Sequence, residues 1–152
     1  MSGSGNSNIL YEEDFTILDI NPEGKSSPHF KNVSRVVAQG MTFNMSLVID
    51  IQTELFPLKM KDKFNLALAS KLNIDDEPDD GTFNQDGKPT LLDKYDYGMH
   101  GKVFRYEHEK EHDVAVYISY GGLLMKLVGK QRYLNTVELD NPIYCLIRKS
   151  VE

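Results

Sequence analysis

An alternation of apolar and polar residues runs through most of this chain and constrains its fold more than any other feature. It is clearest between Met41 and Gln52, where an apolar residue stands at every odd position from Met41 to Ile51. Successive side chains of a β-strand point to opposite faces, so this pattern predicts a long strand with one apolar face. Similar patterns predict further strands at Phe15–Ile20, Asn32–Ala38, Lys63–Ala69, Lys94–Tyr106, Val114–Tyr120, Leu123–Val128 and Ile143–Arg148.

A Gly121-Gly122 pair separates two of these predicted strands without any other residue between them. A two-residue hairpin turn needs positive φ angles, which glycine adopts at little cost. The stretch Tyr117–Gly129 therefore predicts a tight β-hairpin. Helical signals are weak, and only Gln131–Leu139 favours a short turn or helix. About eight strands with turns between them predict an all-β antiparallel sandwich or barrel, and a barrel is favoured because it exposes no strand edge.

Two segments depart from this pattern. Residues 1–8 are small and polar and are predicted to form a disordered tail. Ser70–Asp93 is rich in aspartate, proline and glycine, too polar to pack and too long for an ordinary connection. It is predicted to be a mobile acidic loop, numbered 70–93, inside a single domain spanning 9–150.

The charge and cysteine content limit the functions open to the chain. Its formal net charge is −6, so binding to a phosphate backbone requires a local basic patch. Lys25, Lys31 and Arg35, close to Phe30, are the candidate patch for weak single-strand binding. Cys145 is the only cysteine, which excludes an internal disulfide, and its apolar neighbours predict a buried side chain. No apolar stretch approaches the length of a membrane span, so no membrane partner is predicted.

The sequence His108-Glu109-Lys110-Glu111-His112 matches the H-E-x-x-H pattern of zinc hydrolases. That chemistry needs a helix that brings both histidines to one face. Here the motif lies between two predicted strands, so a solvated hairpin loop is favoured over a zinc site. The aspartates of 75–80 lack the spacing of a calcium-binding loop. We predict no catalytic residues, no metal, no cofactor and no small-molecule substrate.

Large apolar residues around Tyr95–Met99 and Tyr120–Met125 exceed what a small core needs. Aromatic residues and methionine are enriched at the centres of protein interfaces, although each one singly is more often a core residue. A partner surface is therefore predicted from Tyr97, Met99, His100, Lys102, Tyr120, Gly121, Gly122, Leu123 and Lys126.

Several blocks of the sequence resemble, in the same order, the eighth subunit common to eukaryotic RNA polymerases I, II and III. The resemblance covers nearly the whole chain and is carried by Ile9–Phe15, Asp19–Lys25, Val33–Arg35, Leu47–Ile51, Leu55–Pro57, Leu68–Ser70, Tyr95–Val103, Tyr120–Met125 and Ile143–Arg148. Two positions depart from the family: Gly98, where an apolar residue is usual, and His100, where an aromatic residue is usual. The side-chain packing of that strand is expected to differ accordingly.

The resemblance implies an OB-like, eight-stranded antiparallel barrel and a non-catalytic subunit. It implies docking mainly on the largest polymerase subunit, and a location in the nucleus, including the nucleolus. It also implies weak, non-specific binding of single-stranded DNA by roughly 21–47, which contains Lys25, Lys31 and Arg35. The alternative left open is a stand-alone OB-type protein that binds single-stranded nucleic acid.

Overall fold

The computed structural model describes residues 9–21, 33–71 and 94–150 of the chain. The predicted tail 1–8 and most of the predicted loop 70–93 lie outside these residues. Eight strands follow one another in the described part: β1 (Ile9–Ile20), β2 (Val33–Gly40), β3 (Ser46–Gln52), β4 (Lys63–Ala69), β5 (Tyr97–His108), β6 (Asp113–Tyr120), β7 (Leu123–Lys130) and β8 (Pro142–Lys149). Within the described ranges no α-helix is present, and a 3₁₀ turn spans Gln131–Tyr133.

The strands form a closed barrel in the order β1-β2-β3-β7-β6-β5-β8-β4, with β4 returning to β1. All neighbouring strands are antiparallel. The prediction of an all-β, eight-stranded antiparallel barrel is confirmed. Side chains alternate between the barrel interior and its outer surface, as the period of two requires. On β6, for example, Val116, Ile118 and Tyr120 are buried while Tyr117 and Ser119 are partly exposed.

The interior is one apolar core to which every strand contributes. Its largest fully buried side chains include Phe15, Phe64, Leu47, Ile118 and Met125. The rings of Phe15 and Phe64 stack at 5.8 Å between neighbouring strands β1 and β4. In the described residues, no helix is long and apolar enough to cross a membrane.

The strand predicted from Met41 to Gln52 begins at Ser46 in the structure, so the predicted start is wrong. The residues before Ser46 form the tight connection between β2 and β3. Gly40 N–H donates to the carbonyl of Met45 at 2.7 Å, and Asn44 adopts a positive φ of 58°. The alternation of apolar and polar residues extends through this turn, because a turn can also direct apolar side chains such as Met45 into the core.

A buried carboxylate holds this connection in place. Glu13 occupies an inward position of β1 and is 3% exposed. Its Oε2 accepts the backbone N–H groups of Thr42 and Phe43 at 2.8 and 2.5 Å, and its Oε1 accepts a short hydrogen bond from the hydroxyl of Tyr11. A Cβ atom on Gly40 would collide with this carboxylate, so a larger residue there would displace Glu13 from its hydrogen bonds. Burial raises the pKa of the Tyr11 hydroxyl, and the hydrogen bond to Glu13 adds to the effect.

The predicted Gly-Gly hairpin is confirmed. Tyr120 pairs with Leu123, which leaves Gly121 and Gly122 as the two-residue turn between β6 and β7. Their φ angles are 65° and 102°, both in the positive region that a primed hairpin turn requires.

Replacing Gly122 with valine should destabilise the protein by about 1–3 kcal/mol, because a β-branched residue is strained at positive φ. Thermal unfolding should show a midpoint lower by several degrees. Gly121→Asn is the matched control, since asparagine tolerates this φ and nothing lies within 4 Å of a Cβ there. Equal midpoints for Gly122→Val and Gly121→Asn would contradict the role assigned to the turn.

Glu13→Ala should lower the free energy of unfolding by about 2–4 kcal/mol, because it leaves the buried Tyr11 hydroxyl and two partly buried backbone N–H groups without their acceptor. Urea unfolding measures the loss. Glu12→Ala is the control on the neighbouring outward position, where a 3.8 Å pair with Arg148 is worth little. Glu13→Gln keeps one side-chain oxygen as the acceptor for the two backbone N–H groups. Its free energy of unfolding should therefore lie between those of Glu13→Ala and Glu12→Ala. A Glu13→Ala variant as stable as Glu12→Ala would show that the carboxylate does not hold the turn.

Candidate protein interface

Strands β5, β6 and β7 lie side by side and present one continuous outer surface. We call this surface the β5–β7 face and define it by six outward residues: Lys102, Phe104, Arg105, Tyr117, Leu124 and Lys126. Tyr117 on β6 is at its centre, because it pairs with Arg105 on one side and with Lys126 on the other. Directly opposed side chains in a sheet are close neighbours, so these three form one row.

The Tyr117 side chain is held by contacts from both flanking strands. The Arg105 guanidinium carbon lies 5.6 Å and the Lys126 Nζ 5.5 Å from the centre of its ring. The Phe104 ring lies 6.1 Å away at an angle of 52°. Cations over a tyrosine ring are attracted by its negative face. The ring is therefore fixed in a cationic surrounding.

A β-bulge gives this face its exposed aromatic residue. The register between β5 and β6 shifts between Val103 and Arg105, so Phe104 has no partner residue of its own on β6. A bulge redirects the side chains of its strand. As a result Phe104 and Arg105 are both exposed, and Phe104 is 49% exposed. Leu124 on β7 adds a second exposed apolar group, at 42%.

The face carries positive charge on a chain that is negative overall. Its cations are Lys102, Arg105 and Lys126, and the carboxylate beside them is Glu107. Glu107 pairs with Arg105 at 2.5 Å and lies 3.5 Å from the Tyr117 hydroxyl. In the described part of the chain, neither lysine of the face takes part in an ion pair.

The residues predicted as a partner surface divide into two groups. The first is turned toward the core: Tyr120 is 5% exposed, while Tyr97, Met99 and Leu123 pack against the core cluster. Burial raises the pKa of Tyr120 well above the usual value for tyrosine, and its hydroxyl lies 3.7 Å from the sulfur of Met125. The Tyr120 side chain therefore faces the core and takes no part in the outer surface.

The Tyr97 hydroxyl has a structural partner as well. It accepts the backbone N–H of Gln52 at 3.1 Å, and the ring stacks on Phe56 at 5.6 Å. Tyr97 thus joins the start of β5 to the end of β3, and burial raises the pKa of its hydroxyl.

The second group is exposed and comprises His100, Lys102, Gly121, Gly122 and Lys126. Lys102 and Lys126 belong to the β5–β7 face, and the glycines form the turn at its edge. His100 lies on β5 as well, nearer to its start, and its ring is 4.4 Å from that of Tyr144 on the neighbouring strand β8. His100 is one of the two positions that depart from the family, and its side chain packs against Tyr144.

Lys25 and Lys31 of the predicted nucleic-acid patch lie outside the described residues. Arg35 is on β2 and makes a two-pronged ion pair with Asp50 on β3, with Nε–Oδ1 and Nη2–Oδ2 distances of 2.8 and 3.0 Å. Asp50 is buried, and its Oδ2 also accepts the backbone N–H of Leu124 at 3.0 Å. Arg35 therefore has a structural role, which sequence reasoning did not assign.

The H-E-x-x-H residues form the loop between β5 and β6, as predicted. His108 ends β5, and Glu111 and His112 have positive φ angles of 56° and 71°, which a helix excludes. The N–H of Glu109 donates to the carbonyl of Asp113 at 2.7 Å and closes the hairpin. Across the part of the chain that the structure describes, no group of three or more His, Cys, Asp or Glu side chains could hold a metal ion.

Cys145 lies inside the barrel on β8, so the prediction of a buried cysteine is confirmed. Burial raises the pKa of its thiol to about 12. A thiol with such a pKa is almost entirely protonated at neutral pH and is a poor nucleophile.

Sequence reasoning missed Phe104, Arg105, Tyr117 and Leu124 as parts of the exposed surface. The phase of alternation on β6 indicates that Tyr117 points opposite to Val116 and Ile118, and it could have been used. The bulge at Phe104 and the register that joins the three strands leave no local signal in the sequence.

Comparison with known proteins shows the family of this chain. The sequence model of the RNA polymerase Rpb8 family matches residues 12–149. The Dictyostelium discoideum protein named DNA-directed RNA polymerases I, II, and III subunit rpabc3 is 44% identical over 143 residues, which cover 93% of this chain and 98% of that protein.

Two more distant relatives align over the same length. The Arabidopsis thaliana protein named DNA-directed RNA polymerases II, IV and V subunit 8B is 41% identical, over 94% of this chain and 98% of that protein. The Saccharomyces cerevisiae subunit RPABC3 of polymerases I, II, and III is 34% identical, over 94% and 99%. The family model over 12–149 and these relatives show that the chain belongs to the RNA polymerase Rpb8 family.

Proposed function

We propose that this chain is a non-catalytic structural subunit shared by nuclear RNA polymerases I, II and III, and that it supports the assembly and stability of their largest subunit. The observation that carries the proposal is family membership over residues 12–149. The relatives from Dictyostelium discoideum and Saccharomyces cerevisiae are named as subunits of these three enzymes. A stand-alone protein that binds single strands is not favoured, because these relatives are all named as polymerase subunits.

The set of polymerases is the part of this proposal that most needs measurement. The Arabidopsis thaliana relative is named for polymerases II, IV and V, so the set differs among relatives. Membership of a nuclear polymerase implies that the chain acts in the nucleus. We extend the proposal to the nucleolus, where a subunit of polymerase I would work.

Contact with the largest subunit is the proposed mode of action. Exposed residues of the predicted surface, namely His100, Lys102, Lys126 and the turn Gly121-Gly122, support it. The described strands are paired around a ring, so a partner meets mainly side chains and turns. In this proposal the chain supplies a rigid shaped surface, and the nucleotide chemistry belongs to the large subunits.

Affinity purification of the tagged chain from nuclear extract should recover the largest subunits of all three polymerases, in amounts that together approach that of the tagged chain. Mass spectrometry after a high-salt wash identifies them, and the tag alone is the control. Recovery of only some of the three would correct the set of enzymes. Recovery of none would overturn the proposed function.

Weak binding of single-stranded DNA by 21–47 is a secondary proposal that rests on Lys25 and Lys31. Arg35 is unsuitable as a test position, because Arg35→Glu would place a second carboxylate beside the buried Asp50. Destabilisation of β2 and β3 would then be mistaken for loss of DNA contact. The informative variant keeps Arg35 and changes the two lysines.

Lys25→Glu/Lys31→Glu should weaken binding of a fluorescein-labelled oligothymidine at low salt by about tenfold, because charge reversal removes phosphate contacts. Fluorescence anisotropy measures the affinity. Lys59→Glu/Lys110→Glu makes the same charge change at exposed positions elsewhere and serves as the control. Equal affinities of the two double variants would remove this segment as a DNA site.

A further inference from the structure

We infer that the β5–β7 face binds an acidic segment of a polymerase subunit, which places an apolar side chain between Phe104 and Leu124. This inference rests on the proposed function and specifies the chemistry of the partner. Its starting point is a surface that combines exposed apolar groups with positive charge. The residues Phe104 and Leu124 are 49% and 42% exposed.

The arrangement of the strands makes these groups one site. Lys102 pairs with Ser119 on β6, and Ser119 pairs with Leu124 on β7, which defines a first row across the face. Arg105, Tyr117 and Lys126 form the second row. This row lies two residues from the first on β6 and β7, and three residues from it on β5 because of the bulge. The small Ser119 separates Lys102 from Leu124. An incoming side chain therefore meets apolar groups with cations on either side of them.

The shape of this face is fixed before any partner binds. Tyr117 is held by Arg105, Lys126 and Phe104 through the ring contacts described above. The backbone N–H of Leu124 donates to the carboxylate of Asp50. That carboxylate is held in turn by Arg35. A surface ordered in advance loses less conformational entropy on binding.

Charge complementarity identifies the partner as acidic. Lys102, Arg105 and Lys126 stand against the carboxylate of Glu107, while Asp50 beside Leu124 is neutralised by its ion pair with Arg35, on a chain whose net charge is −6. A basic partner would be attracted to most of the chain but repelled here. Carboxylates presented at this face meet cations, which steers the partner into one orientation.

A protein segment fits this face better than a nucleic acid. Bases stack on aromatic faces that are open, whereas Tyr117 carries a guanidinium and an ammonium group over its ring. Leu124 provides no flat surface for a base. The overall negative charge would also repel a long phosphate backbone, while a short acidic peptide engages only the face.

Charge reversal tests the electrostatic half of the inference. Lys102→Glu/Lys126→Glu in the full chain should reduce recovery of the polymerase subunits about tenfold relative to the unaltered chain. The control Lys59→Glu/Lys110→Glu carries the same net charge and should recover them normally. All four positions are exposed, so unfolding midpoints should stay close to that of the unaltered chain.

The outcomes separate this inference from the proposed function. If the unaltered chain recovers polymerases and the face variant recovers them equally well, the inference is wrong and the proposed function stands. If the unaltered chain recovers no polymerase, the proposed function is wrong, and the inference that rests on it is wrong as well. Equal losses in face variant and control would show a general charge effect and would also overturn the inference.

Photo-cross-linking tests the apolar half and identifies the segment. p-Benzoylphenylalanine in place of Phe104 should cross-link, within the assembled polymerase, to a peptide rich in aspartate and glutamate. The same probe in place of Leu55, an exposed apolar residue in the connection between β3 and β4 and outside the β5–β7 face, is the control. Cross-links from position 104 to nucleic acid, to a second copy of this chain or to its own acidic residues 72–93 would each overturn the inference.

Discussion

The pairing of β3 with β7 is the contact on which the rest of the barrel depends. It joins the N-terminal strands to the C-terminal hairpin, and its backbone register runs only from Ser46 opposite Val128 to Ile49 opposite Met125. Beyond that point the carboxylate of Asp50 takes the N–H of Leu124 and extends the connection. Without this pairing, the inward faces of β6 and β7 would lose the apolar residues of β3 that cover them. The buried carboxylate of Asp50, which accepts hydrogen bonds from Arg35 and Leu124, thus continues the connection where the backbone pairing ends.

The sequence predicted much of the barrel, because alternation is a local property. It located β4 at Lys63–Ala69 without error and placed the turn at Gly121-Gly122. It failed at Met41, where a turn imitates the period of a strand and where the decisive partner, Glu13, lies far away in the chain. From sequence alone, a buried glutamate cannot be told from an exposed one, because the groups that donate hydrogen bonds to it are not known.

The candidate surface was predicted less well, for a related reason. Alternation fixes the side of a strand on which a residue lies, but not which strands are neighbours. Tyr120 and Lys126 were assigned to one surface, whereas Tyr120 faces the core and Lys126 lies beside Tyr117 on the outside. The family resemblance supplied what periodicity could not, namely that the chain is an assembly component. It did not supply the geometry of the surface, which depends on register and on one bulge.

The link from Arg35 through Asp50 to Leu124 has a consequence for genetics. These three residues are far apart in the sequence, yet a single carboxylate ties Arg35, which lies within the predicted DNA-binding segment 21–47, to Leu124 of the β5–β7 face. Alleles of Arg35 should therefore be pleiotropic. In a screen they would group with lesions of subunit assembly, although the altered side chain never contacts the partner.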